Sequence, residues 1–177
     1  MKRSAYYSVL LLVLFCFGSF NYKGSYTKPG TRIGDAAPNF KAVTTDGHPI
    51  TLEQFKGKVV LLNFWASYDP YSRIGQISFN DIYKKYENSR FEFGNQFDII
   101  GVSYDRYDSL VEISANNDGI LWQNQIADYA DNNGQISSMY KNERKSGNIL
   151  IDGRGNILAR NLDAEDLDAI LNRFRIN

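Results

Sequence analysis

Apolar positions along the chain fall into three patterns. Two continuous runs, 59–65 (VVLLNFW) and 97–102 (FDIIGV), are rich in β-branched and aromatic residues and do not alternate, which predicts strands buried on both faces of a sheet. After the first run, Ile74, Ile77, Ile82, Tyr83 and Tyr86 recur at roughly helical spacing and predict a helix that covers the sheet. Residues 109–116 predict a second helix behind the second run. Two short apolar stretches, 148–151 and 157–159, flank the turn sequence DGRGN (152–156) and predict a β-hairpin. An earlier hairpin turn is predicted at Asp46-Gly47. Asp163 stands before the stripe Leu167, Ile170, Leu171 and Phe174, the pattern of a capped C-terminal helix. Strand, helix, strand, helix, hairpin, helix makes an α/β fold, with a central mixed sheet and helices on both faces.

The first 32 residues follow none of these patterns. Lys2 and Arg3 precede the unbroken apolar run 9–17 (VLLLVLFCF), and Gly18 and Ser19 follow it. A span across a bilayer needs about 20 apolar residues, so residues 1–18 are expected to be a cleaved secretory signal rather than an uncleaved anchor. Cleavage after Gly18 would put the small residues Cys16 and Gly18 where a signal peptidase reads. Cys16 is either one more apolar residue of the run or a lipidation site, and the bulky Phe15 before it departs from the usual lipoprotein pattern. Residues 19–32, polar and rich in glycine, are expected to be a flexible linker, and 33–177 the folded domain. The protein is therefore expected in the periplasm or cell envelope of a bacterium, touching membrane only through the signal or a lipidated Cys16.

Composition narrows the chemistry. The chain has 177 residues, 43% of them hydrophobic, enough for one well-buried core. Lys plus Arg (20) equals Asp plus Glu (20), so no basic surplus favours nucleic acid. Cys16 is the only cysteine and His48 the only histidine, which removes cysteine-based zinc sites, multi-histidine metal sites and intramolecular disulfides. No metal and no cofactor is expected. The stretch 128–134 (DYADNNG) offers oxygen ligands but misses calcium-loop spacing, and is expected to be a solvated loop.

Several separated motifs in order carry a family resemblance: IGDAAPNF (33–40), DGHPITLEQFKGKVVLLNFWAS (46–67), IIGVSYD (99–105), LWQNQIAD (121–128) and GNILIDGRGNILARNL (147–162). Together they resemble the TlpA/ResA-like thiol-disulfide oxidoreductases of the thioredoxin superfamily, close also to the AhpC/TSA redoxins. The resemblance implies a thioredoxin-like fold and, taken alone, a thiol-disulfide oxidoreductase or antioxidant protein of cell redox homeostasis. It also implies a Cys-x-x-Cys directly after the aromatic that follows FWAS. Here that aromatic is Tyr68, and the next four residues are Asp69, Pro70, Tyr71 and Ser72, so both redox cysteines are replaced. The glutamate expected three residues on is Gly75, and the cis-proline position before ILID holds Ser146. Four features of one chemical site are missing together while the framework remains.

What replaced them has its own logic. Asp69 followed by Pro70 is a favoured helix start, with the carboxylate accepting N–H bonds where a thiolate would otherwise sit. Serine catalysis at Ser72 would need a base, and His48 lies in a predicted turn with no reason to reach it. Tyr68 and Tyr71 flank Asp69 on the face where family members dock an extended substrate, and are candidate binding residues. The expected partner is an envelope protein or extended peptide, bound by a redox-inactive module. The Lys145–Ser146 bond is expected to be trans, since a cis non-proline bond costs about 2.5–4 kcal/mol, with Gly147 absorbing the change of direction.

Overall fold

The computed structural model of the chain describes residues 28–129, 135–142 and 146–176. Residues 1–18, read as a signal, and most of the linker lie outside them, as do residues 130–134 and the Lys145–Ser146 bond. In chain order the elements are β1 (Lys41–Val43), β2 (Pro49–Thr51), a 3-10 turn (Leu52–Phe55), β3 (Val59–Trp65), α1 (Pro70–Tyr86), β4 (Arg90–Phe91), β5 (Gly94–Asn95) and β6 (Phe97–Ser103). There follow α2 (Asp108–Asn117), β7 (Gln125–Ala127), α3 (Gln135–Met139), β8 (Gly147–Ile151), β9 (Ile157–Arg160), α4 (Ala164–Phe174) and β10 (Arg175–Ile176).

Five strands form the central sheet in the order β7-β6-β3-β8-β9. β3, β6 and β7 run parallel, β8 is antiparallel to β3, and β9 is antiparallel to β8. The continuous apolar run of β3 is explained by its central place, since every one of its residues is buried. Alternate side chains feed opposite layers. Val60, Leu62 and Phe64 meet Phe40, Ile50, Leu52, Ile136 and Tyr140 from the β1–β2 hairpin, the 3-10 turn and α3. Val59 and Leu61 meet Phe79, Ile82 and Tyr86 of α1 and Leu167 and Leu171 of α4. Helices thus cover both faces of a mixed sheet, as expected. β4, β5 and β10 form a small separate sheet.

The hairpin around DGRGN is held by Asp152, whose carboxylate accepts from the Arg154 and Asn156 N–H groups at 2.9 and 2.7 Å. The turn after β1 places His48 at the surface, 3.1 Å from Asp46. Asp128, read as part of a solvated loop, is instead buried and caps α3, accepting from the Ile136 and Ser137 N–H groups.

The stripe of α1 differs from the one its isoleucines suggest. Ser72, Gln76, Phe79, Ile82 and Tyr86 face the sheet, while Ile74 and Ile77 are 65% and 43% exposed. With Ser72 inward, the other inward positions follow at steps of three and four, which leaves Ile74 and Ile77 on the outer face. The two polar inward residues meet polar groups: the Ser72 hydroxyl bonds Ala66, and Gln76 faces Asn63 of β3.

At the other end, Pro29 to Arg32 contact the domain although the sequence assigns them to the linker. The Gly30 N–H donates to the Ala36 carbonyl at 3.0 Å, and Arg160 donates to the Thr31 carbonyl at 2.6 Å. Gly34 and Asp35 bond Ile157, so this segment covers the outer edge of β9, where unpaired strand groups would otherwise face solvent.

Candidate functional site

The β3–α1 junction is built to hold its shape. Asp69 has extended backbone angles and its carboxylate accepts from the Tyr71 N–H at 3.2 Å, with Pro70 as the first helical residue. Ser72, buried one turn in, accepts from the Ala66 N–H at 3.1 Å and directs its own proton to the carbonyls of Ala66 and Asp69 at 3.1 and 3.0 Å. Behind the junction, the buried Asp105 carboxylate accepts from the Ser67 N–H at 2.7 Å, from the Ser67 hydroxyl at 2.5 Å and from the Ser103 hydroxyl at 2.5 Å. The residues in the place of a reactive dithiol thus spend their polar groups on local structure. Ser72→Ala is expected to cost about 2 kcal/mol, because the Ala66 N–H is left buried without its acceptor. Urea denaturation would measure it, and Ser72→Cys, which keeps a weak acceptor, should cost less.

A groove of about 360 Å³ opens beside the start of α1. Tyr71, Ser72, Gly75 and Ser146 line it, so four of the positions singled out in the sequence come together there. Asp69, Pro70 and Tyr68 do not line it. Tyr68 is 56% exposed and lies toward Asp105 and Tyr129. Partial burial and the nearby charges of Asp105 and Asp69 push its phenol pKa up.

The far wall comes from residues the sequence did not mark as site residues: Asn161, Leu162 and Asp163 between β9 and α4, and Asn148 of β8. Asn148 stitches the two together, its amide donating to the Leu162 carbonyl at 2.7 Å and accepting from the Leu162 N–H at 2.8 Å. Asn63 also reaches the groove. Its signal was visible, as the one polar residue in the run VVLLNFW. Gly147 lies at a φ of 152°, rarely adopted by residues with a side chain, and a Cβ there would meet the Asn161 and Asn142 side chains at 2.9 and 3.1 Å. Asn142 is itself fixed by Tyr104, whose hydroxyl donates to the Asn142 carbonyl at 2.7 Å and whose pKa burial raises to about 12.

The groove is therefore polar in its amides, apolar in Phe64, Phe79 and Leu162, and lacks a thiol or imidazole. Ser72 has backbone partners and His48 pairs with Asp46, so nothing equips Ser72 as a nucleophile. Among the described residues no three His, Cys, Asp or Glu side chains gather as a metal site.

A family model described as the AhpC/TSA family matches residues 33–160. The chain belongs to the AhpC/TSA family. Within this broad redoxin family it resembles the ResA proteins. It is 34% identical over 94 residues to the thiol-disulfide oxidoreductase ResA of Bacillus thuringiensis subsp. konkukian, covering 51% of this chain and 54% of the relative. The chain spans about half the length of that curated relative. A ResA of Geobacillus kaustophilus is 25% identical over 172 residues, covering 95% of this chain and 93% of the relative. Among solved structures, the thioredoxin domain of a thiol-disulfide oxidoreductase from Bacteroides vulgatus superposes with a TM-score of 0.71 at 26% identity, covering 81% of this chain and 98% of that one. The thioredoxin-like fold implied by the motifs is thus the fold of this AhpC/TSA-family chain.

Proposed function

We propose that this protein is an exported, redox-inactive member of its family that binds an extended segment of an envelope protein in the groove beside α1. The observation that carries this reading is the groove itself. It is lined by Tyr71, Ser72, Gly75 and Ser146, so it reaches the second of the two positions where the resemblance would put a cysteine, and no lining residue carries a thiol. A mixed disulfide needs a thiolate, and the domain has no cysteine. Contact needs only shape and hydrogen bonds. Tyr71, 85% exposed, supplies an aromatic anchor at the rim, and the amides of Asn148 and Asn161 line a wall suited to peptide groups. Export is supported by the basic start and apolar run of residues 1–18.

The test is fluorescence anisotropy with labelled α-lactalbumin, reduced and amidomethylated so that it is unfolded and thiol-free. Binding is expected, weakened about tenfold (~1.4 kcal/mol) by Tyr71→Ala and at least as much by Gly147→Val, which fills the groove. No binding, or binding indifferent to both substitutions, would refute the groove as the site.

A further inference from the structure

Exposed apolar surface is unevenly spread over the domain. Ile74 and Ile77 on α1, with Tyr107, Leu110 and Ile113 at the start of and along α2, are all large and all exposed, Ile74 by 65% and Ile113 by 56%. The two helices are neighbours. Each joins parallel adjacent strands, β3 to β6 and β6 to β7, and right-handed crossovers put both on the same face of the sheet. Arg73 clamps them, its guanidinium bonding both oxygens of Asp118 at the end of α2, and the Asn80 amide donates to the Gly119 carbonyl at 3.0 Å. Outward positions of sheet-covering helices are ordinarily polar, and an apolar concentration of this kind marks an interaction surface.

Charge identifies what fits it. Asp69, Asp81, Asp108 and Glu112 border the stripe, and none of them is in an ion pair among the described residues. Asp118 is neutralised by Arg73, leaving Lys84 and Arg106 as the bordering cations, and Arg106 stacks over Tyr107 and Tyr129. The rim is acidic. A second copy would bring like-charged rims together, and an anionic lipid surface would be repelled in the same way. We propose that the paired outer faces of α1 and α2 dock a basic amphipathic helix of another protein, apolar along one side and flanked by Lys or Arg. This surface is separate from the groove and does not depend on the groove's function.

The probe is a labelled 18-residue amphipathic peptide of leucine and lysine, titrated against the mature chain and followed by anisotropy. Binding is expected, at least tenfold weaker for Ile74→Glu and for Ile113→Glu, and absent for the peptide with glutamate in place of lysine. Circular dichroism of the two variants should match the parent, since both positions are exposed. No binding, equal binding of both peptides, or indifference to Ile74→Glu and Ile113→Glu would overturn the proposal. So would a dimer in sedimentation that Ile74→Glu dissolves, which assigns the face to a second copy. Flotation with phosphatidylglycerol vesicles that is lost in the same variants would also overturn it, assigning the face to a membrane. A groove that fails to bind α-lactalbumin would leave these results untouched.

Discussion

Asp105→Ala is expected to destabilise the domain by about 3 kcal/mol, on the scale of losing hydrogen bonds to a buried charged group. The carboxylate is 2% exposed and accepts three hydrogen bonds, two from Ser67 and one from Ser103. Among the described residues no cation pairs with it. Removing it takes from the half-buried Ser67 N–H and from the Ser67 and Ser103 hydroxyls the acceptor they share. Asp105→Asn keeps one acceptor oxygen and should cost roughly half as much. Urea denaturation should show a lower midpoint with an unchanged slope, since the exposed area on unfolding does not change. The consequence would also be local. Ser67 immediately precedes Tyr68 and Asp69, so faster amide exchange at 66–69 in Asp105→Asn would show that this carboxylate fixes the β3–α1 junction. A shift below about 0.5 kcal/mol for Asp105→Ala would contradict that role.

The second large effect is a gain. Asp69→Cys combined with Ser72→Cys is expected to form a disulfide and to raise disulfide reduction from background to a measurable rate. The two positions bracket the first turn of α1, where the Ser72 hydroxyl lies 3.0 Å from the Asp69 backbone carbonyl. The thiol introduced at position 69 would sit at the N-terminus of the helix, where unpaired N–H groups and the helix dipole favour a thiolate. The rate should stay far below that of an active relative. Gly75 supplies no carboxylate for proton handling, and Ser146 does not restore the proline beside the groove. Mass spectrometry before and after reduction checks the bond, and turnover with a disulfide substrate checks the chemistry. Failure of the pair to oxidise would mean that the junction no longer has the relatives' geometry.

How far the residues announced this structure depends on the distance over which the information acts. β3 and β6 were legible because strands buried on both faces carry apolar runs, and in 59–65 and 97–102 the β-branched and aromatic residues outweigh Asn63, Asp98 and Gly101. The start of α1 was legible because Asp69-Pro70 is a local signal, and Asp163 announced α4 in the same way. The phase of α1 was not. Ile74 and Ile77 read as core by composition, but burial is decided by what the sheet presents, and there it presents Asn63 and the Ala66 backbone to Gln76 and Ser72. β7 escaped notice because only three residues of 121–128 pair with β6. The groove was half legible. Its near wall follows one continuous motif, whereas Asn161 and Leu162 come from a loop almost a hundred residues away that tertiary contact alone brings to Tyr71.

The most direct test of a module that binds without thiol chemistry is a reductase assay on residues 19–177 without substitutions. Disulfide reduction is followed with excess dithiothreitol as the electron source. The expected rate equals that of dithiothreitol alone at every protein concentration, because no residue of the domain can form the mixed disulfide through which electrons must pass. A rate that rises in proportion to protein, and survives repurification, would contradict it and return the chain to the working oxidoreductases.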